Sequence, residues 1–223
     1  MKTEFLLRAE QDGGLIRRNY PAEFRSDAES GIITVCPVVF DTPTDIGGLF
    51  QETIVRGAIS YDVLNDVGFY FNHDLNSKRI ARSLIPFEKL GGMAIEITPE
   101  KIIAQIRANM KRHDVNDLYY GIEDGVIDGA SFMFGVREDY WEDLNTDYPK
   151  RFVTKIDPVV EFSAVNYPAY KTTSINVSRG DLLTENDKAV LEKIRAEKRA
   201  TADTEAKAKR ELELLKLKAK YLY

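Results

Sequence analysis

Between Asp124 and Val136 the sequence reads DGVIDGASFMFGV, and this stretch restricts what the chain can fold into more than any other. From Ser131 onward, small or polar residues alternate with apolar ones. Ser131, Met133 and Gly135 share one face, and Phe132, Phe134 and Val136 share the other. Period two predicts a β-strand with two chemically different faces. Gly125 and Gly129 allow a sharp bend or a close backbone approach just before the hydroxyl, which an exposed nucleophile and its oxyanion pocket both need. A serine at a strand start is more often turn chemistry, so Ser131 points to catalysis only if a base and an orienting group occur elsewhere.

Two other stretches supply such groups. VGFYFNHD, residues 67–74, predicts a buried strand in which Phe69, Phe71 and His73 point one way and Tyr70, Asn72 and Asp74 the other. His73 then emerges at a strand end, where a general base is held rigidly yet reaches a cleft. In VVEFSAVNYPAY, residues 159–170, Glu161 and Ser163 share a face, and Pro168 is expected to end the strand. A wet polar face is the plain reading, but a carboxylate between Val160 and Phe162 is also the kind of group that orients a histidine. The second histidine, His113, lies in the charged KRHDVND and reads as a solvated surface residue.

Composition divides the chain. Residues 181–223 contain no Gly, Pro or Phe and are rich in Ala, Glu, Lys and Leu. This predicts a domain over 1–180 and a helical appendage over 181–223. Of the net charge of -5, the first part carries 20 basic against 27 acidic residues and the second 11 against 9, so nucleic acid is not the expected partner of the body. The single cysteine, Cys36, reads as a buried core thiol in a chain suited to a reducing compartment, and two histidines without clustered cysteines argue against structural zinc. The N-terminal MKTEFLLRAEQDGG has no apolar run long enough for a signal peptide or membrane span, so a soluble intracellular protein is expected.

Elsewhere, residues 3–40 read as strands broken by turns at Gln11–Gly14 and Arg25–Gly31, with GIITVCPVVF the clearest strand. Phe50, Ile54, Ile59, Val63 and Leu64 predict a helix bounded or interrupted by Gly57, and Ile102, Ile103, Ile106 and Met110 a short helix over Pro99–Lys111. Segments 80–86 and 92–97 read as strands, and Tyr140–Tyr148 as an exposed acidic and aromatic loop. Thr184 and Asp187 form a helix start, with Asp187 at the capping-box position. Further on, Ala208, Leu212, Leu215, Ala219 and Leu222 make an a/d seam of the kind that pairs helices.

Taken in order, YFNHD, GASFMF and EFSAVNYPAY resemble the prohead, or capsid maturation, proteases of tailed bacteriophages over about residues 30–176. The resemblance implies an α+β fold with a mainly antiparallel, barrel-like sheet and a few flanking helices, similar to the herpesvirus assembly protease, followed by the helical tail. It implies His73 as base, Ser131 as nucleophile and Glu161 as the acidic third member. Asp74, Ser163 and His113 are alternatives for that third place, and Arg137 is a candidate oxyanion helper. The implied activity is serine endopeptidase cleavage of scaffold and major capsid protein precursors, and of the chain itself, inside a procapsid in the host cell cytoplasm. No cofactor, metal, membrane or nucleic acid is implied. The tail is then a scaffold-like or propeptide segment that docks the protease, self-associates and is removed. The rival reading is an inactive scaffold protein that keeps the fold.

Overall fold

A computed structural model of the protein describes residues 15–21, 25–27, 31–166, 183 and 185–220. The alternation around Ser131 is carried by a strand, Gly129–Glu142 (β10), which pairs antiparallel with Lys150–Val165 (β11). β11 is the central rail of a seven-stranded sheet. One edge of it takes β10, and the other takes two strands in parallel: Phe50–Ile54 (β5) along its first residues and Gly68–Phe71 (β6) along its last. Leu15–Pro21 (β1) adds to β10, Thr44–Ile46 (β4) to β5, and Ala81–Arg82 (β7) to β6, all antiparallel.

A second, antiparallel sheet contains Arg25–Asp27 (β2), Ile32–Val39 (β3), Lys101–Arg107 (β9) and Met93–Ile97 (β8), in that spatial order. The two sheets meet across one apolar core. Ala130, Phe132, Phe134, Phe162, Ala164 and Phe69 come from the larger sheet, and Ile33, Val35, Val38, Ile102, Ala104 and Ile106 from the smaller. A helix, His113–Glu123 (α1), covers part of it with Val115, Leu118, Tyr119 and Ile122. The α+β class and the mainly antiparallel pairing match the sequence expectation, but the barrel does not. Closure needs each end strand to find a partner, whereas β1 and β4 end the path of one described sheet and β2 and β8 the other.

Several local expectations change. Residues 50–64 form β5 and then, beyond Gly57 at φ +87°, a single 3₁₀ turn over Tyr61–Leu64 rather than a helix. The parallel edge offered by Lys150–Val153 makes the strand the better solution there. Residues 101–107 form β9, because Ile102, Ala104 and Ile106 alternate inward between β3 and β8 and outweigh the helical spacing. Conversely α1 was hidden behind a charged start, although Val115, Leu118, Tyr119 and Ile122 follow helical steps. Arg25–Asp27, expected as turn, pairs with β3. Tyr140–Glu142 extend β10, and the loop begins after them. Cys36 is a buried thiol, as expected, and it donates to the Val38 carbonyl at 3.5 Å.

The C-terminal helix, Glu185–Lys220 (α2), starts where the composition changes. Leu191 and Ile194 pack on Ile46 and Phe50, with Trp141 and Val190 at the margin. Asp187, placed at a capping position by sequence, is instead buried and ion-paired with Arg151 at 2.9 Å. Pro168, Thr184 and the side chains of the seam from Ala208 to Leu222 lie outside the described residues.

Arg151 belongs to a buried ionic network. Its guanidinium also reaches Asp139 at 2.6 Å and Glu52 at 3.1 Å, while Glu52 takes two bonds from Arg18, at 2.5 and 3.0 Å. Burial pushes the Glu52 carboxyl up, but Arg18 and then Arg151 outweigh it and hold it below its ordinary value of 4.5. A depressed folded value stabilises the fold above about 4.5, and this contribution is lost as pH falls through the folded value. Glu52→Gln is expected to cost about 3–5 kcal/mol at neutral pH, since it leaves two buried cations short of a partner. Urea unfolding of wild type should weaken as pH drops below about 4.5, and the variant should show a flatter pH dependence. Equal stability of the two proteins at neutral pH would exclude the network as a structural tie.

Candidate active site

The larger sheet has an apolar face and a polar one because its central strands alternate. Phe132, Phe162 and Phe69 are in register across β10, β11 and β6 and point into the core. One residue on, Ser131, Ser163 and Tyr70 are in register, and so point to the opposite face. Met133, Glu161 and Gly68 form the next row. Ser131 therefore stands directly across from Ser163, where opposed Cβ atoms are about 4.5–5.5 Å apart, and diagonally from Glu161. All three are fully buried.

His73 reaches this face by a route the alternation did not predict. β6 ends at Phe71, and both Asn72 (φ +52°) and His73 (φ +58°) are left-handed. Asparagine and histidine are among the residues that adopt that region most readily, but outside glycine it is still uncommon, and two in succession must be held there. Three hydrogen bonds hold the turn against β11. The Asn72 N–H donates to the Ala164 carbonyl at 2.9 Å, the Asn166 N–H to Asn72 Oδ1 at 3.1 Å, and the His73 N–H to Ser163 Oγ at 3.2 Å. The turn swings the ring away from the side of Phe69 and places His73 Nδ1 2.5 Å from Glu161 Oε1. The second oxygen, Oε2, accepts a short hydrogen bond from Ser163 Oγ.

Beside the carboxylate, the Tyr70 ring lies over Gly68, so close that a Cβ there would come within 2.5 Å of it. Glycine is required at this point for packing rather than for backbone freedom. Tyr70 is itself anchored, its hydroxyl accepting from Arg79 Nε at 2.7 Å. These neighbours remove water from Glu161 and so strengthen its interaction with the imidazole.

His73 Nε2 is buried and has no hydrogen-bond partner among the described residues. The Ser131 hydroxyl donates to the Arg18 carbonyl of β1 at 3.0 Å. His73, Glu161 and Ser131 are thus brought to one face, with the first two in contact. Of the alternatives for a third member, Ser163 lies in the site, bonded to Glu161, and the other two are placed elsewhere. The exposed Asp74 accepts from the Asn76 N–H at 3.1 Å, and His113 is exposed at the start of α1. Arg137 pairs with Asp157 at 3.2 Å. The sequence did not single out Arg18, and it marked Asn72 only as part of the Asn-His-Asp run and not as a turn residue. Only the dipeptide Asn-His at a strand end carried a trace of the turn.

A family model described as caudovirus prohead serine protease matches residues 20–187. Comparison with curated proteins and with solved structures gave no match.

The turn carries its own test. Asn72→Gly keeps the left-handed backbone and loses only the amide contact to Asn166, whereas Asn72→Ala also strains the backbone by about 1–2 kcal/mol. The alanine variant is expected to melt lower than the glycine variant in thermal unfolding. The reverse order would mean that the backbone at Asn72 is not left-handed.

Proposed function

From the premise that the chain belongs to the caudovirus prohead serine protease family, we propose that it is a serine endopeptidase that cleaves scaffold and major capsid protein precursor segments, and itself, during capsid maturation. The observation that carries this reading is the contact between His73 Nδ1 and Glu161 Oε1, made on the sheet face that also bears Ser131. In the proposed mechanism His73 Nε2 takes the proton of Ser131 Oγ as the oxygen attacks a peptide carbonyl. His73 then hands the proton to the leaving amine, and a water repeats the sequence to release the acyl group. Glu161 keeps the other ring nitrogen protonated and balances the imidazolium. The carboxylate is buried and the imidazole nearly so, which makes the pair stronger than it is in water.

One observation favours the rival, an inactive scaffold protein: the Ser131 hydroxyl is bonded to the Arg18 carbonyl and not to His73. Mutation decides between them. Ser131→Ala and His73→Ala are expected to abolish processing of co-expressed scaffold and coat precursors, and Glu161→Gln to lower turnover by about 10⁴-fold. Intact-mass analysis of the purified particles reads all three. Processing by a folded Ser131→Ala chain, free of other proteases, would remove the serine mechanism.

The tail is assigned to delivery. The described first turns of α2 belong to the body through Asp187, Leu191 and Ile194, so docking on scaffold falls to the seam from Ala208 to Leu222. Pairing of that seam with a scaffold helix raises the local concentration of substrate without any new contact in the site. The division of the chain near residues 180 and 181 and the removal of the tail belong to the same proposal. Truncation there also deletes Asp187, so substitution in the seam is the cleaner test. Leu212→Asp with Leu215→Asp is expected to lower the number of protease molecules per procapsid while leaving peptide turnover unchanged. Normal incorporation would show that the seam is not the docking element. Among the described residues no helix is long and apolar enough to cross a membrane.

A further inference from the structure

The buried carboxylate of Glu161 has two oxygens to satisfy, and its hydrogen-bond partners among the described residues are His73 at Oε1 and Ser163 at Oε2. The Ser163 hydroxyl has one proton and two lone pairs. It spends the proton on Glu161 Oε2 and a lone pair on the main-chain N–H of His73, at 3.2 Å. One side chain, fully buried, thus grips both members of the pair. Without it the carboxylate is free to turn about its last bond, and the left-handed His73 loses one of the bonds that oppose its strain.

We infer that Ser163 is a positioning residue for the hydrolysis: it fixes which carboxylate oxygen faces His73 Nδ1 and pins the His73 backbone, so that Nε2 is aimed before substrate binds. This rests on the reading of His73 and Glu161 as base and orienter. It assigns Ser163 a part different from the third-member alternative that sequence left open. Ser163 touches neither substrate nor the reacting atoms. Its loss therefore acts on turnover and not on binding. A hydrogen bond to a charged group corresponds to about a 10- to 100-fold change in rate.

The probe is a fluorophosphonate, whose reaction with a serine hydroxyl requires the same base and needs no knowledge of the cleavage sequence. Saturation kinetics separate kinact from KI. For Ser163→Ala, kinact is expected to fall about 10- to 100-fold with KI within about twofold of wild type. The double variant Ser163→Ala with Glu161→Gln is expected to lose clearly less than the product of the two single losses, because the two residues share the carboxylate contact. Full kinact in Ser163→Ala, or additive losses in the double variant, would overturn the assignment. Should Ser163→Ala fail to fold, Ser163→Thr and Ser163→Val supply the comparison, since they share the added bulk and differ by the hydroxyl. A Thr to Val ratio of about ten or more supports the proposal, and a ratio near one sinks it. Absence of labelling in wild type would reject the peptidase reading itself, and with it Ser163. Labelling of wild type that is lost in Ser131→Ala keeps the two questions apart.

Discussion

The buried ion network around Glu52 is the constraint to which the larger sheet answers. It gathers Arg18 from β1, Glu52 from β5, Arg151 from β11, Asp139 from β10 and Asp187 from α2 into one set of contacts. Desolvating so many charges is unfavourable unless each is paired, so the network tolerates little change of geometry. Its span is informative. Arg18 lies opposite Phe132 of β10, whereas Glu52 lies opposite Arg151, whose own neighbour on β10 is Trp141. Nine positions along one strand would put these groups far apart in a flat sheet. The ribbon of β10 and β11 closes that gap by bending where its register shifts between Met133 and Asp139. Gly135 sits in that bend, where a Cβ would press within 2.9 Å of Pro158. The sheet coils and does not close, which is as near to a barrel as the described strands come.

Coiling leaves the middle of the sheet with two unlike faces. The inner one is aromatic and close-packed, with the Phe132 and Phe134 rings stacked at 4.2 Å. The outer one carries the polar row. A rigid apolar backing beneath a polar row is a suitable mount for chemistry, since rotations of a side chain on one face are resisted by packing on the other. The catalytic groups of the proposed reaction come from three strands that are immediate neighbours, and β11 lies between the other two. No long loop has to be ordered to assemble them. Only His73 lies outside a strand, and that residue is the one with a strained backbone and the most supporting bonds.

The same division explains what could be read from the sequence. Ser131, Glu161 and Ser163 were legible because period two places polar residues on one face whatever the partner strand is. The partner strands themselves were not. Phe50–Ile54 and Lys101–Arg107 have spacings that suit a helix as well as a strand, and what decides them is an edge offered by residues 50 to 100 positions away or a sheet on both sides. Arg18, Glu52 and Arg151 look like ordinary solvated charges of amphipathic strands. Nothing local reports that their end of the inner face is covered, because the covering helix starts more than thirty residues later than Arg151. His73 was proposed on its chemistry, and alternation misplaced it, since alternation past Phe71 assumes a strand that the two left-handed residues end.

The network also bears on Ser131, the proposed nucleophile. β1 is fixed by Arg18, and the carbonyl of that same residue receives the Ser131 hydroxyl. The hydroxyl thus rests on the main chain of a tied strand, on the same sheet face as a histidine nitrogen that has no partner among the described residues. Two acceptors compete for one proton. A neutral hydrogen bond of this kind is worth about 0.5–1.5 kcal/mol net, so transfer of the hydroxyl to His73 Nε2 is opposed by about tenfold at most. That is small beside the rate enhancement a triad provides. In the proposed mechanism the bond to Arg18 is therefore a resting position for the serine and not a block. Because β1 is tied through Glu52 and Arg151 to Asp187, the same tie that fastens the start of α2 to the sheet also sets where the hydroxyl of Ser131, the proposed nucleophile, rests.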